Sequence, residues 1–212
     1  MFRTVLSSVC YLVLLWGCSN SDSLPYYNTP DFTPHFIENF HAVEKQIVHK
    51  IGYFEATDQN TKKITLNDLR GKVHITNFIF TQCNSICPTM TNNLKTVADA
   101  YQDESQFALL SFSVTPWMDS IPALRSFAQS YGIKTKNWHL LTGEKKEIYR
   151  LARRSYFAEK DLGFTKDSSE FLHTEHVVLV DPNLRLRGIY NATLKTDILQ
   201  LNKDIAQLLS EK

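Results

Sequence analysis

The chain has 212 residues, 43% of them hydrophobic and 21% charged, with a net charge of +1. That length and apolar content support one domain with a sizeable core and exclude a disordered chain. The 23 basic residues are balanced by 22 acidic ones, so no basic field remains to gather a nucleic acid. Seven Gly and seven Pro exclude a collagen-like or low-complexity architecture, and four Cys are too few for a disulfide scaffold of this size.

Met1-Phe2-Arg3 opens the chain, and an apolar run from Val5 to Trp16 follows. This run falls short of the ~20 apolar residues that a spanning helix needs. A positive start before a short apolar stretch reads as a secretory signal. The signal ends Leu15-Trp16-Gly17-Cys18, which resembles a bacterial lipobox, with Cys18 as the lipidated residue. Trp16 is bulky for that motif, and an ordinary signal peptide or an uncleaved anchor helix are the alternatives. The expected division is a signal over residues 1–17, a polar tether over 18–45 and a domain over 46–212. The expected location is the bacterial cell envelope, on a lipid anchor facing the periplasm or cell exterior. Cys10 falls in the signal, so Cys83 and Cys87 are the cysteines of the folded domain. Outside the reducing cytosol such a pair is chemically informative.

Along the domain, apolar runs alternate with amphipathic ones. Val73 to Phe80 reads as a strand, and Pro88 to Tyr101 as a helix with Met90, Leu94, Val97 and Ala98 on one face. Phe107 to Val114 is a second strand. A helix with Ile121, Leu124, Phe127 and Ala128 follows, capped by Asp119 or Ser120. Trp138 to Leu141 is a short strand and residues 144–157 are helical. His176 to Val180 and Leu184 to Tyr190 form a hairpin across Asp181-Pro182-Asn183, and Ile198, Leu201, Ile205 and Leu208 mark a last helix. The order βαβα, βα, ββα implies an α/β protein with parallel strands, a C-terminal antiparallel hairpin and helices on both sheet faces. It is the order of a thioredoxin-like fold with extra N-terminal elements and a C-terminal β-hairpin and helix.

Thr81-Gln82-Cys83-Asn84-Ser85-Ile86-Cys87-Pro88 lies between the strongest strand and the strongest helix. Cys87 falls in the first helical turn, and Pro88 stands where a missing N–H costs least. Unpaired N–H groups at a helix start stabilise a thiolate, so a lowered thiol pKa is expected, with Cys87 the more acidic. Three roles compete: a structural disulfide between Cys83 and Cys87, a redox-active pair, and a metal site. Closing so short a loop stabilises little. The usual redox motif has two intervening residues, and here there are three. Zinc calls for four ligands, whereas Cu(I) is satisfied by two thiolates and an imidazole.

Among seven histidines, His35 and His41 fall in or beside the tether and His49 before the first strand of the domain. His139 reads as a packed strand residue, and His74 as a residue of the main strand facing one side of the sheet. His173, on the loop before the last hairpin, and His176, at its start, are the candidates for a third ligand. Position alone leaves both open, along with no ligand at all.

Five ordered segments together resemble the SCO/SenC family of copper-binding, thioredoxin-like proteins. They are Gly71-Lys72 with the strand and Phe80-Thr81-x-Cys83-x-x-x-Cys87-Pro88; Ser113-Val114-Thr115-Pro116 with Asp119 and Leu124; Trp138-x-x-Leu141-Thr142-Gly143; His173-Thr174 with Val178 to Pro182; and Arg187-Gly188-x-Tyr190. The likeness implies that Cys83, Cys87 and His173 are the copper ligands, and it assigns no metal role to His176. Two residues depart from the family pattern: Asn84 stands where proline is usual, and Thr115 where aspartate is usual.

The resemblance implies a metallochaperone that carries copper as Cu(I), with Cu(II) left open. Its partner would be the copper-bearing subunit of cytochrome c oxidase or another copper protein. The rival is a thiol–disulfide oxidoreductase in which Cys83 and Cys87 are the catalytic pair and keep a partner's cysteines reduced. A peroxide-reducing enzyme fits less well, since no arginine follows Cys83 in its loop or the next helix. A non-catalytic interaction domain, stapled by the pair, is the remaining reading. The oligomeric state is open.

Overall fold

A computed structural model describes residues 23–158 and 174–211. The N-terminal part supplies β1 (Tyr26–Tyr27), β2 (Pro34–His35), α1 (Phe40–Gln46), β3 (Glu55–Asp58), β4 (Lys63–Thr65) and a 3₁₀ turn at Leu66–Leu69. Then come β5 (Val73–Ile79), α2 (Cys87–Ala100), β6 (Phe107–Ser113), α3 (Ile121–Ser130), β7 (Trp138–Thr142) and α4 (Lys145–Arg154). The chain closes with β8 (His176–Val180), β9 (Leu186–Asn191) and α5 (Lys195–Ser210). Among the described residues the strands form one sheet in the order β2-β1-β9-β8-β5-β6-β7-β3-β4. β5, β6 and β7 are parallel, and β8 runs antiparallel to β5. The predicted α/β order is thus present from β5 to α5.

β5 and β6 are buried along their whole length. A strand covered on both faces must be apolar on both, hence the continuous runs in sequence. Alternation still sorts the side chains. Val73, Ile75 and Ile79 meet Leu94 and Val97 of α2, Leu124 of α3 and Leu201 and Ile205 of α5. Phe78, Leu110 and Phe112 meet Ile148, Leu151 and Ala152 of α4, with Tyr156 beyond it. Cys83 and Cys87 belong to the first of these two cores.

The stretch expected as a tether requires a correction. Its described part begins at Ser23 and already carries β1, β2 and α1. Tyr27 pairs with Leu186 of β9, and Val43 and Ile47 are buried. Arg187 anchors the segment by donating from Nε to the Pro25 carbonyl at 3.1 Å and from Nη2 to that of Leu24 at 2.9 Å. Backbone carbonyls held by Arg187, together with apolar side chains such as Leu24, Tyr27 and Phe32 packed on the cores, give it a place on the sheet edge. The β3–β4 hairpin was also not foreseen. Its turn is closed by Asp58, whose Oδ1 accepts from the amides of Asn60 and Lys62, both at 2.8 Å.

The later hairpin turns at Asp181-Pro182-Asn183 as expected. Asp181 Oδ1 accepts from the Asn183 and Arg185 amides, each at 2.9 Å. Leu184 takes a left-handed φ of 67°, so β9 starts at Leu186 instead of Leu184.

Candidate metal and thiol site

The cysteine pair is placed by the end of β5. After Ile79 the chain turns, with the Cys83 amide donating to the Phe80 carbonyl at 3.2 Å. α2 begins at Cys87, with Pro88 in its first turn. Both cysteines are buried and not joined by a disulfide, Cys83 at 6% exposure and Cys87 at 0%. Their thiols are hydrogen-bonded to each other, and the Phe80 backbone N–H faces the Cys87 sulfur.

The expected acidic thiol at the helix start is not what this geometry gives. Burial pushes the Cys87 thiol up to about 12, and the hydrogen bond with Cys83 adds to the rise. The Phe80 N–H works the other way and is outweighed. A sulfur sealed in an apolar core loses more solvation on ionising than the first helical turn returns. Tyr131 lies close enough to feel the pair. Its hydroxyl is pushed up, by burial first and then by the Cys87 and Cys83 sulfurs.

Asp119 is the polar centre behind the cysteine loop. It is 1% exposed. Its carboxylate accepts from the Thr81 hydroxyl at 2.6 Å and from the Thr81 amide at 3.2 Å. On the other side it accepts from the hydroxyls of Ser113 at 2.6 Å and Thr115 at 3.0 Å. Reading the sequence for caps had offered Asp119 or Ser120 as the start of α3. Ser120 takes that role, accepting from the Ala123 amide. Asp119 turns inward instead, and no local pattern distinguishes the two outcomes.

The histidines divide clearly. His49 Nε2 is 2.9 Å from the Ser155 carbonyl, and its ring stacks on Phe157. His74 is fully buried, with Nε2 3.3 Å from the Tyr156 hydroxyl. His139 Nδ1 sits 3.0 Å from Asp58 Oδ2, in the packed setting expected of it. His176 opens β8, its Nδ1 3.0 Å from the Thr174 hydroxyl. His35 lies in β2 and His41 in α1. His173 lies outside the described residues, as does Cys18. Among the described residues no three His, Cys, Asp or Glu side chains gather as a metal cluster. The described residues thus bring together two sulfur donors, a set suited to a soft ion.

A Cys-x-x-x-Cys pair between the central strand and the following helix, on a mixed sheet covered on both faces, defines a thioredoxin-like domain with a dithiol site. The SCO1/SenC family profile matches residues 43–210, and the chain belongs to that family. It is 29% identical over 167 residues to a SCO1 protein homolog of Bacillus subtilis, covering 77% of this chain and 84% of the relative. Among solved structures, a SCO1/SenC family lipoprotein from Bacillus anthracis superposes with a TM-score of 0.66 at 27% identity, over 76% of this chain and 96% of that one. BsSco, a member of the Sco family of cytochrome c oxidase assembly proteins in which a disulfide switch was identified, gives 0.65 at 28% identity, over 77% and 95%. ScoI from Bradyrhizobium japonicum, solved with copper bound, shares the fold with a TM-score of 0.58 at 23% identity, over 76% and 99%.

Proposed function

We propose that this chain is a copper metallochaperone that binds Cu(I) through Cys83, Cys87 and His173 and helps assemble the copper centres of cytochrome c oxidase. The observation that carries the reading is the contact between two reduced thiols just after the central strand. Two adjacent sulfurs are the donor set that a soft monovalent ion selects over harder metals. The third ligand is supported by topology. β8 runs antiparallel beside β5, so the start of β8 and the cysteine turn after β5 lie at the same end of the sheet. His173 is three residues before that start in the sequence.

Both thiols must be reduced before they bind, and each gives up a proton as the ion arrives, so loading is coupled to redox state and to pH. Burial that disfavours the free thiolate keeps Cys87 protonated in the empty site. A site with two sulfurs and one nitrogen leaves the ion open to a thiolate from a partner. Ligands can then exchange one at a time, a route that a closed four-ligand site resists. The partner in this reading is the copper-bearing oxidase subunit or another copper protein. A lipid on Cys18 would hold the domain at the membrane of the cell envelope. No helix among the described residues is long and apolar enough to cross a membrane.

The same contact between thiols also suits disulfide formation, which favours the oxidoreductase as the second reading. Anaerobic Cu(I) titration of the reduced chain against a chromophoric chelator separates the two. One Cu(I) per chain is expected, with affinity falling by about tenfold or more in His173→Ala. Equal affinity without the imidazole, together with turnover of a dithiol substrate well above that of free thiol, would establish the oxidoreductase instead.

A further inference from the structure

We propose that Asp119 is a positioning residue for the thiol pair: it clamps Thr81 so that the preceding amide, that of Phe80, stays aimed at the Cys87 sulfur. Thr81 lies two residues before Cys83, on the turn that leaves β5. Its amide and hydroxyl both end on the Asp119 carboxylate, at 3.2 and 2.6 Å. The neighbouring Phe80 amide ends on the Cys87 sulfur. The Phe80 N–H belongs to the Ile79–Phe80 peptide and the Thr81 N–H to the Phe80–Thr81 peptide, so two successive peptides have fixed and different acceptors, and the Thr81 clamp sets the orientation of the second. That orientation also fixes the Phe80 carbonyl, which accepts from the Cys83 amide. One carboxylate therefore governs the backbone contacts of both cysteines.

The carboxylate is itself held from behind. The Ser113 and Thr115 hydroxyls at the end of β6 donate to it, and the Thr115 carbonyl accepts the Asp119 amide at 2.8 Å. Its burial removes competing water, so these bonds are stronger than on a surface. A helix cap would not require this arrangement, because Ser120 already caps α3. The bonds lead across to the cysteine loop from a different strand. Such buried support is how a loop site is kept in the geometry its chemistry needs.

The proposal deepens the dithiol reading above, and its test has one arm that needs no copper. The full chain is prepared as parent, Asp119→Asn, Asp119→Ala and Thr81→Val. Each is equilibrated with reduced and oxidised glutathione, and separately titrated anaerobically with Cu(I) against a chelator. Asp119→Asn keeps an acceptor for Thr81 and is expected to stay within about threefold of the parent in both measurements. Asp119→Ala frees the turn, lowers the effective concentration of one thiol at the other, and is expected to weaken the Cys83–Cys87 disulfide equilibrium by about fivefold or more. Cu(I) affinity should fall in parallel. Thr81→Val, which loses only the hydroxyl bond, should move the same way by a smaller factor. If Asp119→Ala does not fold, Thr81→Val and Asp119→Asn decide between them. An unchanged disulfide equilibrium in Thr81→Val, or an Asn variant as impaired as the Ala variant, overturns the proposal. If the parent binds no Cu(I) but the disulfide equilibrium shifts as stated, the positioning role stands and the copper reading falls.

Discussion

The Arg187 guanidinium lies over the Tyr26 ring, 4.0 Å from its centroid, and so fastens the start of the described chain to the edge of the sheet. The side chain is 3% exposed. Beyond Tyr26 it reaches the carbonyls of Leu24 and Pro25, and its Nη1 faces Asp181 at 3.5 Å and Glu211 at 3.3 Å. One cation therefore joins the N-terminal segment, the β8–β9 turn and the end of α5.

Arg187→Leu should release that segment and leave Asp181 buried without its cation. Breaking a buried pair by removing one partner costs about 3–5 kcal/mol. Urea denaturation is expected to show a loss of that order. Amide exchange at Tyr26 and Tyr27 should rise by at least about tenfold while exchange in β5 falls into step only with global stability. Protection of Tyr27 unchanged in the variant would mean that the Tyr27–Leu186 pairing holds the segment without Arg187.

A pH dependence follows from His74. Its imidazole is fully buried, and burial pushes its pKa from 6.5 down to about 3. The folded chain keeps it neutral, whereas the unfolded chain takes up a proton below pH 6.5. The stability carried by the neutral ring is complete above that pH and is lost as pH falls toward 3, by about 1.4 kcal/mol per pH unit. His49 and His139 are lowered by burial too and act in the same sense. Urea unfolding should show His74 contributing a loss of about 2 kcal/mol between pH 7 and pH 5. His74→Gln should flatten the profile by that amount, and a variant profile as steep as the parent's would contradict it.

The proposed lipid anchor rests on Cys18. Cys18→Ser in cells should move the protein from the membrane to the soluble fraction and remove incorporation of a labelled fatty acid. A variant that stays with the membrane without label would point to an uncleaved N-terminal helix as the anchor.

Much of the domain was legible because its elements carry local signals. β5 to α5 follow from apolar runs of strand length, helical stripes such as Met90, Leu94 and Val97, and the Asp181-Pro182-Asn183 turn. The cysteine pair could be placed at a strand–helix junction because Pro88 marks the helix start. What escaped the sequence depends on partners distant in the chain. The stretch over 23–47 carries apolar residues such as Leu24, Tyr27 and Phe32 at no regular period, and it packs because these meet the two cores and Arg187, more than 160 positions later, supplies donors to its carbonyls. Asp119 and Ser120 are equivalent as local caps, and only the approach of Thr81 across the sheet separates them. The helix start spoke for an acidic Cys87, but thiol ionisation follows total desolvation, which the core around the sulfur sets. The residues alone therefore determined the element order, the dithiol motif and the family likeness. Which groups are buried, and so which hydrogen bonds and ionisations govern the thiols, was decided only when the two cores closed around the sheet, because burial belongs to the packed assembly and not to any single stretch of chain.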